Sequence, residues 1–264
     1  MAEPRVLFLS HGGGPLPLLG DEGHREMVEQ LEQLATRLAK PSAIVVISAH
    51  WEEKRPTLTG ALNPALIYDY YGFPAESYDI EYPATGEPNL AQLISDRLNE
   101  AGFNAVLDQQ RGFDHGLFVP LKIMYRQADI PCLQLSILKS LDAAEHIKLG
   151  KALAGLPYEN LLVIGSGFSF HNMEAFFSPD TDQSRLMNES FESWLIETCS
   201  NQLIDEQERI HRLESWEMAP AARYCHPREE HLLPLHVCYG LASGACTEVM
   251  TLKILGKNAS MYLW

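Results

Sequence analysis

The stretch Ala43-Ile44-Val45-Val46-Ile47-Ser48-Ala49-His50-Trp51 decides the fold. Four consecutive β-branched residues, Ile44 to Ile47, read as a strand covered on both faces, which is the condition of a parallel sheet lying between helices. A strand with one wet face would alternate with polar residues instead. The run then breaks into Ser48, Ala49 and His50, so polar chemistry begins where the strand ends.

Working outward, Val6-Leu7-Phe8-Leu9 is a second run of the same kind, and Cys132–Ile137, Leu161–Ile164 and the shorter Val106-Leu107 read as further strands. Between them the apolar period is helical. Met27, Leu31, Leu34 and Leu38 share one face, and Leu90, Ile94 and Leu98 form another helix opened by Pro88 and ended near Gly102. Helices are also expected at Phe118–Tyr125, Leu141–Leu153, Leu186–Cys199 and from His231 through Leu232–Ala242, with strands at Thr247–Leu255 and Ser260–Trp264. This alternation predicts an α/β sandwich with a largely parallel central sheet flanked by helices. No repeat or Gly/Ser linker interrupts it, so residues 1–264 read as a single domain, long enough to bury roughly three quarters of its unfolded surface. Leu62–Gly86 resists the pattern. It is rich in tyrosine and lacks a sustained period, as expected of a binding loop.

Composition excludes several classes. With 20 Lys+Arg against 35 Asp+Glu the formal charge is −15, and no basic run exists to engage a phosphate backbone or an anionic bilayer. No apolar run approaches the ~20 residues needed to span a membrane. The N-terminus reads as a buried strand instead of a signal peptide. Five cysteines, odd in number and without a Cys-x-x-Cys pair, read as reduced thiols of a cytoplasmic protein.

The ten histidines are the feature to explain. Ligands of open α/β sheets gather beyond the carboxyl ends of the strands. His11 follows the first strand, His50 the second, His115 the strand around Val106, and His171 the strand Leu161–Ile164. Four histidines at one sheet edge point to a metal site. His231 lies at the entrance of a late helix, and His226 is divided evenly between a loop and a site role. His24, His146 and His211 sit in polar helix patterns and are expected to be solvated. Gly12-Gly13-Gly14 lacks the spacing and the Lys of a phosphate-binding loop, so a nucleotide site is the weaker reading of that segment.

The ordered set Ser10-His11-Gly12, Ser48-Ala49-His50-Trp51, Tyr68-Asp69-Tyr70-Tyr71-Gly72-Phe73-Pro74, Tyr82-Pro83-Ala84, Gly112-Phe113-Asp114-His115-Gly116, His171-Asn172 and Glu230-His231-Leu232-Leu233-Pro234-Leu235 resembles the class III, LigB-type extradiol ring-cleaving dioxygenases, in particular the DOPA-dioxygenase-like branch. The resemblance implies a catechol substrate, O₂ and Fe(II); three histidine ligands would also suit Zn(II) as the bound metal. It implies His11, His50 and His231 as metal ligands, and His115 and His171 as acid–base residues, His171 being near enough in the pattern to serve as a ligand itself. The parent family uses two histidines and a carboxylate, whereas this chain offers His231 at that place with Glu230 beside it. Tyr68 and Phe73 are candidate pocket residues, and Arg111 is a candidate partner for a substrate carboxylate. Asp114, Glu230 and His236 are expected to support the site residues from behind, although His236 reads first as a packed core histidine. Three facial ligands leave a redox metal adjacent open positions, as ring cleavage requires. The same residues also suit a zinc-dependent hydrolase or a non-catalytic metal-binding protein. Two acid–base candidates beyond three ligands favour an enzyme.

Overall fold

Alternate residues of the two N-terminal buried strands divide between the faces of one sheet. In β1 (Arg5–Ser10) Val6 and Phe8 face one apolar layer while Leu7 and Leu9 face the other. In β2 (Ala43–Glu53) Val45 and Ile47 oppose Ile44 and Val46 in the same way. That two-sided burial is what the continuous apolar runs demand. The computed structural model describes residues 4–264.

Along the chain, α1 (Arg25–Arg37) lies between β1 and β2, followed by β3 (Thr57–Thr59), α2 (Pro88–Glu100), β4 (Val106–Asp108) and α3 (His115–Met124). Then come β5 (Cys132–Leu138), α4 (Ala143–Ala152), β6 (Leu161–Gly167), α5 (Met173–Phe177), α6 (Asp182–Ser200), α7 (Glu206–Glu214), α8 (Ala222–Cys225) and α9 (Leu233–Ala242). A hairpin of β7 (Glu248–Ile254) and β8 (Lys257–Leu263) closes the chain. The strands form one eight-stranded sheet in the order β4-β3-β5-β2-β6-β1-β8-β7. Its centre, β5-β2-β6-β1, is parallel, and antiparallel pairings join β3 to β5 and β8 to β1. Helices α1 and α3 cover one face; α2, α4, α6 and α9 cover the other. Among the described residues no helix is long and apolar enough to cross a membrane. All five cysteines are buried and free.

Several boundaries differ from expectation for local reasons. Helix α3 begins at His115, three residues before Phe118, because the Asp114 carboxylate caps it by accepting the Gly116 N–H at 3.0 Å. Helix α9 begins at Leu233, which leaves His231 in the preceding loop. The polar α7 escapes sequence detection because a buried arginine does the work of an apolar side chain. Arg209 donates to the carbonyls of Thr198 and, at 2.9 Å, Asn201, where α6 leaves its last carbonyls unpaired. Segment 62–86 is fastened to the body of the protein by bridges between Leu66 and Phe113 and between Gly86 and Cys132, and Tyr70, Ile80 and Tyr82 bury against the α1/α3 layer.

Candidate active site

Strands β1, β6 and β2 lie side by side and are parallel, so their carboxyl ends share one edge. His11 continues the β1 ladder by donating its backbone N–H to Gly167 O at 3.0 Å. His50 sits in a bulge of β2: Ser48 pairs with Ser136 and Glu52 with Ile137, which leaves residues 49–51 out of register with β5. Bulges re-aim side chains, and this one brings His50 Nε2 to 3.0 Å from His11 Nε2. His231 arrives from the loop before α9, its carbonyl accepting the Phe168 N–H at 2.9 Å. Glycine at 167 permits that approach, since a Cβ there would stand 2.1 Å from His231 O.

One nitrogen from each of His11, His50 and His231 lies within 4.8 Å of the other two. The far sides of two rings are already engaged. Ser166 Oγ donates to Gly116 O at 2.5 Å, so it accepts from His11 Nδ1 at 3.0 Å and leaves the His11 Nε2 lone pair free. His231 Nδ1 lies 3.0 Å from Glu230 Oε1. Burial, reinforced by repulsion among the clustered imidazoles, holds His11 and His50 well below the ordinary histidine value and pushes His231 down to about 3. Three neutral imidazoles therefore converge, and the outer nitrogens of His11 and His231 are oriented by neighbours. That donor set fits a divalent metal ion.

Two further imidazoles flank the triad. The His115 ring centroid is 3.9 Å from that of His50, and its Nδ1 lies 2.8 Å from Asp69 Oδ1. Burial alone would raise the Asp69 carboxyl, but hydrogen bonds from His115 outweigh it and hold it below the ordinary value. His171 stacks on His231, and its Nδ1 is 3.3 Å from Glu230 Oε1. Glu230 repeats the balance more strongly: burial opposes ionisation, and the two imidazoles hold the carboxyl far below its usual range. Arg228 stands 3.3 Å from Glu230 Oε2 and pairs in a fork with Glu52 on β2.

The structure thus brings His11, His50, His115, His171, His231 and Glu230 together, and it places other candidates differently. Asp114 does not reach the His115 ring. It accepts from Ser48 Oγ, Gln134 Nε2 and the Gly116 N–H, and from Arg111 at 3.0 Å. Arg111, expected to meet a substrate carboxylate, is spent on Asp114 and on the Trp51 ring 4.4 Å away. His236 supports no site residue; its nitrogens face the carbonyls of Leu213 and Leu232 in the opposite layer. His226 is likewise a core residue, donating to Ser169 O at 2.7 Å beside Phe191 and Trp216. Of the three histidines expected in solvent, only His211 is exposed. His24 and His146 are fully buried because each uses both ring nitrogens: His24 accepts the Gly13 N–H and donates to the Asp21 carboxylate at 2.7 Å, and His146 accepts the Leu138 N–H and donates to Asp142 O at 2.6 Å. Gly12, at φ +80°, leaves the space that the His24 ring fills.

In the aromatic segment Tyr68 spends its hydroxyl on Ile80 O, and Phe73 packs edge-on against Tyr70 and beside Gly14. Tyr70, which sequence reasoning did not single out, abuts the His115 ring at 5.8 Å. Asp69 and Ser166 were also missed. Asp69 stands in the quoted tyrosine-rich motif, but nothing in the sequence pairs it with a histidine forty-six positions on. A groove of about 370 Å³ lined by Glu26, Glu189 and Lys253 lies elsewhere and gathers no ligand set, so open volume does not mark the chemistry.

Comparison with known proteins identifies relatives of the whole chain. The family described as the catalytic LigB subunit of aromatic ring-opening dioxygenase matches residues 6–260. The chain is 40% identical over 240 residues to a 4,5-DOPA dioxygenase extradiol of Beta vulgaris, covering 90% of this chain and 86% of that one. It is 38% identical over 280 residues to dioxygenase tasH of Hapsidospora irregularis, covering 98% and 85%. The crystal structure of an uncharacterized protein from Escherichia coli K12 superposes with a TM-score of 0.75 at 28% identity, covering 98% of this chain and 99% of that one. The chain belongs to the LigB family of aromatic ring-opening dioxygenases.

Proposed function

We propose that the protein opens the ring of a catechol, a DOPA-like one by similarity to its relatives, with O₂, using Fe(II) held by His11, His50 and His231. The observation that carries this reading is the surplus of imidazoles. Three neutral rings suffice to hold a cation, and two more, His115 and His171, stand against them with Nδ1 turned to a carboxylate. A carboxylate of depressed pKa only accepts hydrogen bonds, so the His115 ring bonded to Asp69 carries its proton on Nδ1 and offers Nε2 as a base, while His171 faces Glu230 from the same ring nitrogen.

When bound, ferrous iron supplies the one-electron chemistry that lets a spin-paired aromatic react with dioxygen. The chain's own residues handle binding and protons. Catechol must lose a hydroxyl proton to bind as an anion, and His115 Nε2 takes it while Asp69 stabilises the imidazolium that forms. His171, backed by Glu230, is the second exchange point and returns a proton to oxygen as the ring opens. The aromatic segment, with Phe73 and Tyr70 nearest the glycine turn and His115, supplies the apolar wall for a planar ring; Tyr68 stiffens that wall from behind. The five buried thiols suit a cytoplasmic setting.

Zinc also suits three imidazoles and would occupy the site without supporting turnover. The test is anaerobic loading with Fe(II), followed by a catechol panel with and without O₂. Oxygen uptake in step with a yellow ring-opened product is expected. A product that forms equally without O₂ would refute the reading.

A further inference from the structure

Asp69 has no place in the metal triad, yet its carboxylate makes the tightest contact of the candidate base. Asp69 Oδ1 receives the backbone N–H of His115 at 3.0 Å and lies 2.8 Å from its Nδ1. The register behind this contact is fixed. Ile67 N–H donates to Phe113 O and Phe113 N–H donates to Ala65 O, both at 2.8 Å, so the segment carrying Asp69 is pinned two residues upstream of His115. Tyr70, next in sequence, lays its ring edge-on to the same imidazole and donates its hydroxyl to Ser77 O at 2.6 Å. The nearer carboxylate in sequence, Asp114, is already saturated by Ser48, Gln134, Gly116 and Arg111.

We infer that Asp69 is the positioning residue of His115: delivered by the aromatic segment that would wall the substrate, it fixes the Nδ1–H tautomer and turns Nε2 into the site. This rests on the ring-cleavage reading for its catalytic consequence but not for its structural one. An imidazole can place its proton on either nitrogen, and an acceptor at Nδ1 selects which. A carboxylate in that position also stabilises the charged ring after proton uptake. The competing role is that of a ligand, since Asp69, His50 and His115 also offer atoms within 4.8 Å of one another. The two roles predict different metal contents.

The experiment uses the full chain loaded with diamagnetic zinc and labelled with ¹⁵N-histidine. Long-range ¹H–¹⁵N correlation reads the tautomer, with His115 assigned through His115→Gln. The wild-type protein should show His115 protonated at Nδ1 and bare at Nε2. Asp69→Asn should shift it toward the other tautomer, with unchanged metal per chain. On the iron-loaded protein the same substitution should lower kcat roughly 10- to 100-fold with KM little moved. A proton on Nε2 in the wild type overturns the inference whether or not the variant folds. So does loss of metal in Asp69→Asn, which would make the residue a ligand. Absence of O₂-dependent turnover by the wild type would refute ring cleavage and leave the tautomer result standing by itself.

Discussion

The imidazole of His171 lies flat on that of His231, with centroids 3.4 Å apart and 15° between the planes. His231 shares a ligand set with His11 and His50, and His171 stands outside that set. Glu230 lies against the Nδ1 of each. His171→Ala should therefore keep close to full metal content while losing turnover by about 10²- to 10⁴-fold, the range of a lost acid–base group. Metal analysis beside O₂ uptake checks it; a metal-free His171→Ala protein would make His171 a fourth ligand.

Alanine at His11, His50 or His231 should each abolish stoichiometric metal binding, because two imidazoles do not complete the set. Glu230→Gln should act more mildly. It keeps an acceptor near His231 but loses the charge that orients the ring, so metal affinity should fall about 10- to 100-fold. Competition with a chelator measures the difference. Equal affinities would deny Glu230 its orienting role.

Arg111 and Asp114 make a stability prediction in place of a substrate-binding one. Asp114 is fully buried, and Arg111 is the cation that compensates it. Arg111→Met should cost about 3 kcal/mol in urea unfolding, because it strands a buried carboxylate. It should change KM equally for catechols with and without a side-chain carboxylate. A selective rise in KM for the carboxylate-bearing substrate would restore the recognition role.

Glu192 predicts how stability varies with pH. It lies buried on α6, where Oε2 accepts from Ser260 Oγ at 2.6 Å and Oε1 has no partner. Burial pushes its pKa from 4.5 up to about 7. The folded state then binds more protons than the unfolded one between those values. Stability from this group is full below about pH 4.5 and is lost as pH rises through 7. The loss is on the order of 3 kcal/mol. Glu192→Gln should flatten the slope of urea midpoints between pH 5 and 7, while an unchanged slope would place the titration elsewhere.

The apolar runs at 6–9 and 43–47 by themselves determined a two-sided sheet, since residues that are all apolar leave no face for water. The same local logic put His11, His50 and His171 at the carboxyl ends of strands. Helix starts at Pro88 and stops near Gly102 were legible too, because caps are local chemistry. What the sequence left undecided depends on partners distant along the chain. Burial of His24 and His146 follows from backbone N–H groups that only the folded chain brings to them, which a polar helix pattern conceals. The bulge that aims His50 is a mismatch between two strands and exists in neither alone. Asp69 meets His115 only because the Leu66–Phe113 bridge sets their register, while Asp114, adjacent in sequence, is drawn to Ser48, Gln134 and Arg111. Chain position decides which strand end a residue occupies. Which carboxylate holds which imidazole is decided by tertiary register, because a hydrogen bond depends on separation in space and not along the chain.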